Sequence, residues 1–154
     1  MKTKRGFLTL AVIFVLSGLA FTASARNFLA LFAGGNVVQT TLTSFAQLPD
    51  MGGSINVAGN NRCVTATFSA EVASGTTLDG LVFRALLDGS LMEGHFVDGF
   101  LAHTPGHASS YELVAYTFWR CGVSRGPHTV AVEWRSTDGF GIIARGRTLI
   151  VEGK

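Results

Sequence analysis

Three observations predict an all-β domain, an antiparallel β-sandwich of the jelly-roll or immunoglobulin-like kind, with seven to nine strands. Apolar and polar residues alternate at period two along several segments. These segments recur at short intervals, separated by Gly, Asn, Asp and Ser, and Asp-Gly occurs at four places: 79–80, 88–89, 98–99 and 138–139. No stretch carries a helical period. Long-range pairing leaves no local trace, so jelly-roll and immunoglobulin-like strand orders both stay open.

Residues 1–25 do not belong to that pattern. Lys2, Lys4 and Arg5 precede a nearly unbroken apolar run from Phe7 to Leu16, and Ala23-Ser24-Ala25 has the small-residue form of a cleavage site. The expectation is a signal peptide over 1–25 and a single domain over 26–154. The apolar run is short for a membrane span, and no second long one follows, so no transmembrane segment is expected after cleavage. The destination is the periplasm, the cell surface or the medium.

From Asn27 to Gly59 the strand signal is weak. Val37 to Leu42 has β-branched character, Ser54 to Ala58 suits a short strand, and Leu48-Pro49-Asp50 reads as a loop. From Arg62 the pattern sharpens. Val64, Ala66, Phe68, Ala70 and Val72 form one apolar face of a half-buried strand, ended by Ser74-Gly75. Leu81 to Leu87 is apolar on both faces, which predicts a central strand. His95 to Leu101 is a shorter candidate. Tyr111 to Trp119 reads as a long strand, Thr129 to Trp134 alternates again, and Ile142 to Val151 closes the chain. Asp138-Gly139 between the last two predicts a hairpin.

Beyond the leader, nine Lys and Arg face ten Asp and Glu, and the arginines are scattered singly. No basic stripe exists, so nucleic acid is not an expected partner. Cys63 and Cys121 form an even pair, expected to bridge in an oxidising compartment.

The segment Gly126-Pro127-His128-Thr129-Val130-Ala131-Val132-Glu133-Trp134 resembles a closing-strand motif of bacterial extracellular β-sandwiches, both immunoglobulin-like modules and jelly rolls. Arg147-Thr148-Leu149-Ile150-Val151 looks like the matching last strand. The resemblance covers about the last thirty residues. It implies architecture, with a final hairpin, and carries over no functional residue. Antibody-type domains have a Trp about a dozen residues after the first Cys and a Tyr two before the second. Here the first region reads Ser74-Gly75-Thr76, and Trp119 stands two before Cys121.

Candidate sites are few. His95, His103 and His107, with Glu93 and Asp98 near, are ligand types for a divalent metal, but Pro105-Gly106 argues against a helix bringing His103 and His107 together. His128 lacks an evident partner for general-base work, and no Gly-x-Ser-x-Gly elbow occurs. Glu71, Glu93, Glu112 and Glu133 are the carboxylates available in principle for a glycosidase pair, and a solvated position is the ordinary explanation for Glu71, Glu112 and Glu133. The Asp-Gly pairs read as turns rather than calcium loops. Of thirteen aromatic residues beyond the leader, Phe68, Phe83, Phe118 and Trp134 fall on apolar faces and read as core. Tyr111, Tyr116 and Trp119 are candidates for an exposed stacking platform, because an aromatic face packs on the apolar face of a pyranose.

With no catalytic constellation and no cofactor motif, the leading expectation is a secreted, non-enzymatic module binding a glycan or a protein partner. The alternatives are a self-associating structural subunit, suggested by few charges and 47% apolar residues, and a small metal-dependent hydrolase built on the histidines. Oligomeric state leaves no mark in the sequence.

Overall fold

The computed structural model describes residues 27–74, 80–94 and 111–154, and the backbone alone of 101–103. The expected leader and most of the candidate strand at 95–101 lie outside these residues, as do Asp79 and Asp98. Among the described residues there are ten strands: β1 (Phe28–Ala33), β2 (Val38–Thr40), β3 (Ala46–Val57), β4 (Arg62–Ser74), β5 (Leu81–Leu87), β6 (Ser90–Leu91), β7 (Leu101–His103), β8 (Glu112–Val123), β9 (Gly126–Ser136) and β10 (Ile142–Gly153). Seven of them span six residues or more, and β2, β6 and β7 span two or three.

The strands form two antiparallel sheets. The first has the order β1-β10-β4-β8, with β2 also on β10; the second has the order β3-β9-β5-β6, with β7 also on β5. The long strands alternate between the sheets in sequence. The first and last strands are neighbours, and no two consecutive long strands pair. This is jelly-roll order, built of Greek keys, and it settles the choice between the two sandwich types.

Period two explains the core. The even residues Val64 to Val72 of β4 point inward with Val114 and Phe118 of β8 and Leu149 and Val151 of β10. Val130, Val132 and Trp134 of β9 and Leu81, Phe83, Ala85 and Leu87 of β5 meet them from the second sheet. Phe68 and Phe83 touch across the core with ring centroids 4.8 Å apart. The strand with two apolar faces, β5, is central as expected, between β9 and the short β6 and β7.

Local turn chemistry holds at Asp88-Gly89. Both residues have positive φ, 52° and 72°, and Leu87 pairs with Ser90, so β5 and β6 form a two-residue hairpin. Asp138-Gly139 does not make the expected hairpin. There β9 lies in the second sheet and β10 in the first, and residues 137–141 carry the chain across the sandwich. Gly139 and Gly141 adopt positive φ, which serves a crossing as well as a hairpin. The expected loop at Leu48-Pro49-Asp50 is instead an irregularity inside β3. Register slips between Gln47 and Gly52, Asp50 takes φ 63°, and Leu48 and Met51 are buried. Pro49 is tolerated because β3 is an edge strand. The unexpected strand is β1. Its sequence, Phe-Leu-Ala-Leu-Phe-Ala, does not alternate in polarity, because an edge strand here keeps two phenylalanines on its outer side.

Cys63 and Cys121 are bridged. They join β4 and β8, neighbours in one sheet, whereas the antibody-type bridge joins two sheets. One buried charge stands out. A register shift in β10 between Arg145 and Thr148 turns Arg147 inward, where it is 1% exposed. Its Nη1 donates to the carbonyls of Asn36 (2.7 Å) and Ala144 (3.1 Å), and its Nη2 lies 3.5 Å from the Asp50 carboxylate. Burial pushes the guanidinium down from its ordinary value and Asp50 pushes it back up, and it remains a cation.

Candidate functional site

The odd residues of β4 and their partners face outward on the first sheet, and register places them in rows. One row runs Phe28, Glu152, Thr65, Trp119 from β1 to β8. The next runs Ala30, Ile150, Thr67, Thr117, and the third Phe32, Thr148, Ser69, Ala115. A shorter fourth row holds Arg145, Glu71 and Leu113. With strands about 4.8 Å apart and about 7 Å between same-face residues, the three full rows cover about 14 Å by 14 Å.

The centre of this face is neutral and short: hydroxyls of Thr65, Thr67, Ser69, Thr117 and Thr148, with Ala and Ile between them. Thr67 and Thr117 hydroxyls stand 3.5 Å apart across the strands. Large apolar groups mark its margins. Phe28 (49% exposed) and Phe32 (73%) lie on the β1 side, and Leu113 (76%) and Tyr111 on the β8 side. The charges at its corners are paired. Arg145 Nε donates to Glu71 at 2.6 Å while its guanidinium lies 3.7 Å from the Tyr111 ring centroid, and Lys154 bonds Glu152.

Trp119 has a defined orientation. Its backbone exchanges two hydrogen bonds with Glu93, each 2.8 Å, and its indole N–H donates to the Glu93 carboxylate at 3.0 Å. The segment after β6 thereby ties the second sheet to the β8 edge. Tyr116, the third aromatic candidate, is on the other side of β8. Its ring packs 5.7 Å from Phe83, and burial pushes its phenol up. The structure thus brings Tyr111 and Trp119 to one face and sends Tyr116 to the core side. Phe28 and Phe32 carried no sequence signal for a site, because nothing local said that β1 would lie at an edge.

The outer face of the second sheet differs. Arg84 pairs with Glu133, its register partner, and stacks on Phe45 at 3.9 Å with Arg135 at 5.3 Å. Glu71 and Glu133 lie on opposite outer faces of the sandwich, so they cannot act as a glycosidase pair. His95 and His107 lie outside the described residues, and the side chain of His103 is not described. Among the described residues no group of three His, Cys, Asp or Glu is placed to hold a metal ion.

His128 has the partner that sequence did not reveal. Its Nδ1 lies 2.6 Å from the Asp88 carboxylate, and its Nε2 lies 2.9 Å from the Ser124 carbonyl. Both partners are acceptors, so both ring nitrogens are satisfied only when each carries a proton. The bonds to Asp88 and Ser124 accordingly hold the imidazole above its ordinary value. Both ring nitrogens are engaged, so this pair is a latch between the β5–β6 turn and the β8–β9 connection. Partial burial raises the Asp88 carboxyl, but bonds from His128 and the Thr129 amide outweigh it and hold the group below its ordinary value.

The His128 contribution is complete below the ordinary imidazole value of 6.5 and is lost as pH rises through the higher folded value. In urea unfolding, His128→Gln should cost clearly more stability at pH 5.5 than at pH 8.5. Equal costs at the two pH values would show that the ring acts by packing alone.

No protein-family model matches the chain, and no curated protein matches it. Among solved structures, its fold is similar to the sugar-binding C-terminal domain of EclA, at 11% identity and TM-score 0.43 over 76% of this chain and 79% of that one. It is also similar to a carbohydrate-binding module of Cellvibrio mixtus lichenase 5A in complex with cellotriose, at 15% identity and TM-score 0.37 over 80% and 95%. A third is Eiger TNF from S. frugiperda, at 10% identity and TM-score 0.38 over 82% and 93%. At these identities the likeness is one of fold.

Proposed function

We propose that the protein is a secreted, non-enzymatic module that binds a neutral glycan across the outer face of its first sheet. The observation that carries this reading is the composition of that face: an uncharged, hydroxyl-bearing centre with aromatic rings at its margins. Sugar rings present apolar C–H faces and a girdle of hydroxyls. The rings of Trp119 and Tyr111 suit the former, and the threonines suit the latter. Hydroxyls on a sheet lose little freedom on binding, which lowers the ordering cost of the contact.

The test uses intrinsic fluorescence. Of the two tryptophans, Trp134 is buried in the core and Trp119 lies on the face, so a ligand-linked change reports Trp119. Titration with neutral oligosaccharides, cello-, xylo- and manno-series, should give a saturable change with at least one series. Trp119→Ala should weaken that binding about tenfold, the loss of one stacked ring. A panel that binds no better than buffer, or binding indifferent to Trp119, would refute the reading.

A second reading has its own observation. Phe28 and Phe32 project from an edge strand, an arrangement suited to pairing with another copy of the chain. Light scattering from micromolar to hundreds of micromolar separates the two. A stable closed assembly that Phe32→Asp dissolves favours self-association, and a monomer throughout leaves the face to a ligand.

A further inference from the structure

We infer that the loop end of the sandwich holds a second binding site, separate from the sheet face, for a sugar bearing a single carboxylate. The site is a cavity of about 180 Å³ lined by Asp88, Ser90, Arg120, Gly122, Ser124 and His128, with Leu87 and Val123 at its apolar wall. That volume is room for several waters or one sugar ring.

Its charge follows from its neighbours. His128 engages the Asp88 carboxylate at 2.6 Å, so one of the carboxylate oxygens is already occupied. Arg120 stands opposite Val64 in register and has no ion-pair partner among the described residues. Two more arginines lie at the same end. Arg62 pairs in register with Val123, and Arg125, next to Ser124, donates its amide to the Asn60 side chain. Neither has a carboxylate partner among the described residues. Arg120 thus brings an unpaired guanidinium to the pocket lining, Arg62 and Arg125 stand at the same end of the sandwich, and the other polar residues of the lining are Ser90, Ser124, His128 and the half-exposed Asp88.

This combination selects a ligand class. A guanidinium binds a carboxylate through two parallel hydrogen bonds. The Asp88 oxygens accept from hydroxyls and repel a multiply charged anion, which disfavours a bare phosphate. The serines serve either side of a sugar hydroxyl. A uronic acid offers one carboxylate and several hydroxyls on one ring. The neutral sheet face offers no such complement, so the two sites would read different sugars.

The experiment is an amide NMR titration of the oxidised protein with D-glucuronate, D-glucose, acetate and inorganic phosphate. Glucuronate should shift the Gly122 and Ser124 amides saturably, with a Kd on the order of 1 mM. Glucose, acetate and phosphate should each bind there at least about tenfold more weakly, since each lacks part of the complement. Arg120→Gln should weaken glucuronate about tenfold, and Arg120→Lys less, with amides elsewhere unmoved. No saturation by glucuronate in the millimolar range overturns the inference. So does acetate or phosphate binding as tightly as glucuronate, or indifference to Arg120. The Gly122 and Ser124 amides report this cavity and the Trp119 indole reports the sheet face, so failure of either site is visible apart from the other.

Discussion

Replacing Cys63 and Cys121 together by serine is expected to lower stability by about 2–4 kcal/mol, with a Tm fall on the order of 10 °C. The half-cystines are separated by 58 residues, and closing a loop of that length removes unfolded-chain entropy worth about 4 kcal/mol in the simple model. Two features set the expectation at or below that figure. The bridge joins neighbouring strands of one sheet, so the β4–β8 ladder already holds the two ends close. Cys63 also exchanges backbone hydrogen bonds with Lys154, which ties the β10 end to the same place. Urea unfolding of the double variant, compared with the oxidised and reduced wild-type protein, measures the effect. The double variant and the reduced protein should agree, and a loss below about 0.5 kcal/mol would show that the ladder alone sets this register. The bridge borders the loop-end cavity through Arg120 and Gly122, so the same variant should also weaken whatever binds there.

Arg147→Ala is expected to cost about 3 kcal/mol, and Arg147→Met about half as much. The alanine variant strands the Asn36 and Ala144 carbonyls and leaves a void where a fully buried side chain stood. Methionine refills much of that void and adapts to irregular space. It also removes a liability of the native residue, because Nε and Nη2 of Arg147 are buried without hydrogen-bond partners among the described residues. Breaking a buried charge's contacts is costly, yet replacing it with a well-packed apolar group often is not. Denaturation midpoints of the two variants decide between the roles. Methionine as damaging as alanine would mean the hydrogen bonds carry the effect. Methionine equal to wild type would mean the guanidinium chiefly fills space. Asp50, two-thirds exposed and held at φ 63°, should matter little in either background, since a pair open to water on one side contributes under about 1 kcal/mol.

The sequence by itself determined which residues share a face. Alternation from Val64 to Val72 predicts the buried side of β4, two-sided apolarity predicts the central place of β5, and Asp88-Gly89 predicts its tight turn. An even cysteine pair behind an expected signal peptide predicts the bridge. Each is a local signal, carried by the pleat or by φ at one residue. What tertiary structure decided is everything that depends on neighbours distant in the chain. Asp138-Gly139 turns the chain, but whether into a hairpin or across to the other sheet depends on which inner faces must meet. Tyr116 and Trp119, three residues apart on one strand, have opposite parity, so one packs on Phe83 while the other joins Phe28 and Phe32 on an outer face. Arg62, Arg120 and Arg125, scattered singly in the sequence, gather at one end because β4 and β8 pair in a particular register. Alternation is invariant to which strand lies beside which, and a binding surface on a sheet is made by strand order.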